Sequence, residues 1–240
     1  MSAALCQCRL SSTKVLPGDV CAVRCTSVEV PLMELLIQAM EPTPLKEADE
    51  YYKTLKSPEI STGKPSRPCL VLPPPGYGPD AQICLMATFG KKHPDVLPEM
   101  YKEFIAPVHP NIEHTQYGSP MLFIPKDYFT SHQWIVAAPI YPISGKSLDL
   151  QLWSKSPRVH MCVGMLRRFV SLCDAKKLDW EEKVNYGIID VERYYTEMRA
   201  NKGGGSYRST FFVMLVKEDP SFVYEVSPLV KLALADKRCS

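Results

Sequence analysis

The chain has 240 residues, 45% hydrophobic and 22% charged, a balance that supports a packed core and excludes a disordered polyelectrolyte. Lys and Arg number 28 against 26 Asp and Glu, so the net charge of +2 argues against a surface built to coat DNA while leaving room for a local basic patch. The 22 prolines against 12 glycines exclude a long uninterrupted helical bundle, because each internal proline removes a helix hydrogen bond and clashes with the preceding turn.

Residues 1–16 read as a polar, loosely ordered lead. Its sequence, MSAALCQCRLSSTK, lacks the apolar stretch of a secretory signal, and no run reaches the roughly 18 apolar residues of a membrane helix. The expectation is an intracellular protein, cytoplasmic or nuclear, without membrane association. Pro17-Gly18-Asp19 reads as a turn and Val20 to Cys25 as a short strand. Residues 31–40 suit a helix with Pro31 in its first turn, and residues 45–56 a second, more polar one. Pro58 to Arg67 is a loop.

The central part reads as β. Strands are expected at 68–72, 81–89 and 104–108, with one or two helical turns at 95–103. Met121 to Ile124 is a further apolar run. Trp134 to Ile143 is another strand, and Pro139 and Pro142 within it predict an edge position or a bulge. Leu148, Leu150 and Leu152 alternate with polar residues as in a half-buried strand. Trp134 and Trp153 are read as core residues rather than stacking platforms, given their apolar neighbours.

After residue 155 the period becomes helical. Ser156-Pro157 predicts a cap and first turn, followed by a stripe from Val159 through Leu166 to Cys173. Val184, Ile188, Val191, Tyr195 and Met198 form a second stripe, ending near Gly203-Gly204-Gly205. Tyr207 to Lys217 fits strand or helix equally, and Ser227-Pro228 opens a last helix-like run. The expected class is α+β: a small, curved, SH3-like β-barrel with a helical insertion near the N-terminus and helices at the C-terminus. Its divisions are a lead at 1–16, a barrel at 17–155 with helices inserted at 31–56, and a helical extension at 156–240.

Nine cysteines form no compact even framework, and those in apolar runs (Cys69, Cys84, Cys162) read as small buried hydrophobes. Neither Cys6-x-Cys8 nor Cys21-x-x-x-Cys25 has the two-residue spacing of a zinc knuckle. His109 and His114 are five apart in a loop and read as solvated, so no metal and no cofactor are assigned. Gly76-Tyr77-Gly78 is a turn, lacking the third glycine and following helix of a nucleotide-binding loop.

One combination spans three strands. Pro17-Gly18-Asp19-Val20 opens the first, Ser66-Arg67-Pro68-Cys69-Leu70-Val71-Leu72 the second, and Ile83-Cys84-Leu85-Met86-Ala87-Thr88 forms the third. This order resembles the MazF/PemK family of SH3-like barrels, which has a Gly-Asp start, an Arg-Pro before an apolar strand, and a third strand ending in Thr or Ser. The resemblance covers roughly residues 17–145. It implies a metal-independent endoribonuclease with Arg67 and Thr88 at the scissile phosphate. The chemistry suits those residues: attack by a ribose 2′-hydroxyl builds charge on phosphoryl oxygens, which a guanidinium stabilises bidentately and a hydroxyl helps orient. Lys91, Lys92 and His93 then stand as contacts to the RNA backbone. The chain departs from the family in the span of about 42 residues from Cys25 to Arg67, in the shortened glycine-rich approach Thr62-Gly63-Lys64-Pro65-Ser66, and in the C-terminal extension. Two functions follow as expectations: a binding or scaffolding module that has lost nuclease activity, and an active ribonuclease on single-stranded RNA. A partner protein is the alternative ligand. Outside catalysis, Arg67 would be a surface cap on a proline-led strand and Thr88 a hydroxyl satisfying a strand-edge backbone group.

Overall fold

The computed structural model describes residues 14–23, 27–40, 45–56, 67–74, 82–126, 128–129, 132–141, 150–154 and 157–201. The triple glycine, the 207–217 run, Ser227-Pro228, Gly76-Tyr77-Gly78 and the cysteines Cys6, Cys8 and Cys25 lie outside these residues.

The strands are β1 (Val20–Val23), β2 (Arg67–Leu72), β3 (Gln82–Ala87), β4 (Ile105–Val108), β5 (Gln133–Val136) and β6 (Leu150–Leu152). They pair antiparallel in the order β4-β5-β3-β2-β1-β6. The protein is therefore α+β, with a six-stranded antiparallel sheet. The sheet is not closed into a barrel: β4 and β6 are its two ends, and no ladder joins them among the described residues.

Both faces of the sheet are buried, in separate clusters. Cys69, Val71, Ile83 and Leu85 face one, with Trp134 and Val136. Leu70, Leu72, Cys84 and Met86 face the other, with Ile135 and Ala137. Since successive residues point to opposite faces, a strand covered on both sides must be apolar throughout, which is why CLVL and ICLMA show no polar alternation.

The first face is covered by α1 (Glu29–Ala39), α2 (Lys46–Lys56) and α3 (Glu99–Phe104), together with α5 (Val191–Asn201), which packs on α1 and α3. The second is covered by Met121, Phe123 and Phe129 and by the first half of α4 (Val163–Asn185), through Leu166, Phe169 and Cys173. Trp180, later on α4, enters the first cluster. Glu103 at the end of α3 joins the helices. It accepts from Lys183 Nζ at 2.8 Å and Tyr194 OH at 3.3 Å, and its carbonyl accepts from Lys176 Nζ at 2.7 Å.

Prolines sit where the ladders spare an N–H. Pro107 is in β4, an end strand. Pro68 lies opposite Ala22, and the β2–β3 ladder starts one residue later at Cys69. β5 is internal rather than at an edge, and its ladder stops at Val136. Beyond it, Ile140 bridges Ile83, whereas the Met86–Ile135 register would place Ala138 there. This two-residue slip is the bulge that Pro139 demands.

Two helix boundaries differ from the sequence expectation. Pro157–Met161 does not start a helix; α4 begins at Val163. His160 instead bridges Asp19 and Ile124, and Val159 O and Met161 N–H bond to Val20 and Gly18. The second stripe is also divided. α4 runs through Val184 and stops at Gly187, φ 64°, where Gly187 N–H bonds to Val184 O and Ile188 N–H to Lys183 O. This reciprocal pair is a left-handed glycine stop, and it leaves Ile188 exposed. Asp190 Oδ1 then accepts Arg193 N–H at 2.9 Å and caps α5.

The Pro17-Gly18-Asp19 turn fastens these parts. Gly18, φ 94°, donates its N–H to Val71 O at 2.7 Å and accepts from Met161 N–H at 2.7 Å. The Asp19 carboxylate is fully buried, as is nearly all of Arg158. Arg158 Nε donates to Oδ1 at 2.9 Å and Nη2 to Oδ2, while Leu16 N–H donates to Oδ2 at 2.6 Å. Arg158 Nη2 also donates to Lys14 O at 2.8 Å, so residues 14–16 of the lead are held in place. Arg158→Met is expected to destabilise the chain by about 3–5 kcal/mol in urea unfolding, because it strands a buried carboxylate. Asp19→Leu combined with Arg158→Met should recover much of that loss.

Burial and the neighbouring Asp19 push the Cys21 thiol up to about 12 from its ordinary 9.0, with Arg158 opposing. Cys69 and Cys84 are raised in the same direction by burial. These thiols release protons more readily in the unfolded chain, so their contribution is complete below pH 9 and is lost as pH climbs towards 12. Thermal unfolding followed by circular dichroism should show a melting temperature that falls across that window.

Candidate functional site

Arg67 and Thr88 come together because β2 and β3 are antiparallel neighbours. Continuing the Cys69–Leu85 register by two residues sets Arg67 opposite Ala87, so the start of β2 and the end of β3 share one end of the sheet. Both residues line a single cleft, with Val28, Pro68, Met86, Ala87 and Phe89. The cleft is about 10 Å³, the space of one water at most, and Val28 just before α1 forms part of its wall.

Arg67 is not a surface cap. Its Nε is buried, with no hydrogen-bond partner among the described residues. Burial pushes the guanidinium below its ordinary value, while Tyr101 and Glu29 oppose this through charge. Glu29 is itself engaged, accepting from Tyr51 OH at 2.7 Å. Thr88 is buried, and its side chain makes no capping hydrogen bond to the following turn.

β3 leaves this cleft through an unusual turn. Phe89, Gly90 and Lys91 all have positive φ, at 47°, 65° and 62°. For Phe89 and Lys91 this left-handed conformation costs about 1–2 kcal/mol each. The Phe89 ring offsets part of that cost by packing edge-on to Tyr101 at 5.2 Å. The turn sends Lys91, Lys92 and His93 outward, and all three are exposed. His93 Nδ1 lies 3.2 Å from Asp95 Oδ2 and also accepts Asp95 N–H. The site residues expected from the sequence are thus contiguous: a narrow cleft with Arg67 and Thr88, and a basic lip beyond it.

The histidines group differently from the sequence expectation. His109 does not pair with His114: Glu113, His114 and His132 offer ligand atoms all within 4.8 Å of one another, and His109 is outside that group. The His93 ring lies 5.0 Å from that of His114. The one signal in the sequence was the position of His132 next to the strand beginning at Gln133, which places it at a fixed edge. Trp134 is fully buried, as expected of a core residue.

No family model, curated protein or solved structure matches the chain. Among the described residues, no helix is long and apolar enough to cross a membrane.

Arg67→Met should leave stability unchanged or raise it by about 1 kcal/mol in urea unfolding, since a desolvated charge with no ion pair among the described residues is replaced by an apolar side chain of similar length. A loss of stability would assign Arg67 a structural role.

Proposed function

We propose that the chain is a binding module, diverged from a PemK-like SH3-like barrel and without nuclease activity, whose ligand-facing surface is the lip formed by Lys91, Lys92 and His93. The observation that carries this reading is the cleft between Arg67 and Thr88. At about 10 Å³ it has no room for a phosphodiester, and Val28 lines it where the inserted helices begin. The exposed lysines next to it offer charge to an anionic strand without needing the cleft to open. The ligand this suits best is the backbone of single-stranded RNA, met through phosphates rather than bases.

The ribonuclease reading keeps one observation in its favour. Arg67 and Thr88 line the same cleft, and the Arg67 guanidinium has no ion pair among the described residues. Incubation of the purified chain with a mixed single-stranded RNA in EDTA, beside Arg67→Ala, separates the two. The binding reading expects intact RNA in both; cleavage by the chain but not by the variant establishes the enzyme instead. In fluorescence anisotropy with the same RNA, the double variant Lys91→Glu, Lys92→Glu should bind more weakly. Its salt dependence should be shallower by about 1.4 in log–log slope, the counterions of two lost phosphate contacts on a single strand. An unchanged affinity would remove RNA as the ligand of this lip and leave a protein partner.

A further inference from the structure

We propose that Glu113, His114 and His132 form a binding site for one divalent transition-metal ion of the zinc class. Glu113 Oε1 lies 3.5 Å from His114 Nε2 and 3.8 Å from His132 Nδ1. A tetrahedral ion with bonds of about 2.1 Å requires ligand atoms about 3.4 Å apart; the two edges from Glu113 stand close to that length, and all three ligand atoms lie within 4.8 Å of one another. The donor set, two imidazoles and one carboxylate, is borderline in softness and suits zinc over calcium or magnesium. Three protein ligands leave a fourth position, for which Glu113 and His132 are open to solvent, with side chains 63% and 53% exposed.

The scaffold behind the ligands is fixed, which separates this cluster from a chance meeting of loop side chains. Asn111, 1% exposed, donates from Nδ2 to Gln133 O at 2.7 Å and ties the Glu113–His114 loop to the start of β5, directly beside His132. His109 N–H and Met121 O close the same loop at 2.9 Å. His114 is buried with its ring 5.2 Å from that of Trp134, and Tyr117 packs edge-on to the same indole at 5.8 Å. A ligand imidazole seated on a buried indole loses little freedom when the ion arrives. The His93 ring lies 5.0 Å from that of His114, and His93 is held by Asp95.

The test uses the full chain stripped with EDTA and dialysed. Titration with zinc chloride in a calorimeter is expected to give one equivalent at this site. Cobalt chloride is expected to give the visible bands of a four-coordinate ion without a thiolate charge-transfer band, and to quench tryptophan emission through Trp134. His132→Ala and Glu113→Gln alter exposed side chains, so the fold should persist, checked by circular dichroism. Each should weaken zinc by more than about 100-fold, since even outer-shell partners are worth 10–100-fold. Zinc binding that survives both variants, a thiolate band with cobalt, or no binding by the unaltered chain each overturns the proposal.

Discussion

The buried pair of Asp19 and Arg158 is the constraint on which the remaining structure hangs. It links residues 139 positions apart and places both charges out of water. Such a pair holds only if every lone pair and N–H finds a partner. Here Leu16 N–H and Lys14 O supply the extra bonds. The arrangement makes the Gly18–Asp19 turn a junction, where β1 begins, β2 docks through Val71, and the Val159–Met161 segment is drawn alongside. The start of α4 and its descent over the second face of the sheet follow from where Arg158 is anchored.

The cleft and the basic lip are set at a distance from that junction. β2 and β3 carry Arg67 and Thr88 to the far end of their ladder, and the left-handed turn after Thr88 shows Lys91 to His93 to solvent. The helices between β1 and β2 cover the first face, and the residue that precedes them, Val28, lines the cleft. The long span between Cys25 and Arg67 thus bears directly on whether the cleft can accept a ligand.

Much of the sheet was legible in the sequence. The inner strands announced themselves as short apolar runs near prolines, β6 as leucines alternating with polar residues, and the helices at Glu29–Ala39 and Lys46–Lys56 fell where the prolines and charge pattern put them. Closure was not legible. Apolar runs report burial on both faces, and that is satisfied equally by a barrel with an outer coat and by an open sheet between two layers. Arg158 was hidden because Ser156-Pro157 is a good helix start locally, and only the distant Asp19 commits the next residues to extended backbone. Gly187 was the available signal that the stripe ending at Met198 belongs to two helices. At the site, the pairing of Arg67 with Thr88 was implied by the family resemblance, and the antiparallel β2–β3 ladder is what brings them to one end of the sheet. The meeting of His114 with His132 was not implied in this way, because loop geometry held by Asn111 brings them together.

The path of α4 has a consequence for how the molecule comes apart. At 23 residues it is about 35 Å long, with Phe169 in one apolar cluster and Trp180 in the other. A layered protein with two separate cores can melt in two stages. A rigid rod embedded in both makes loss of either layer withdraw contacts from its counterpart. The two layers are thereby joined into one cooperative unit, and partial opening is confined to the loops at the ends of the strands, where the lip and the histidine cluster lie.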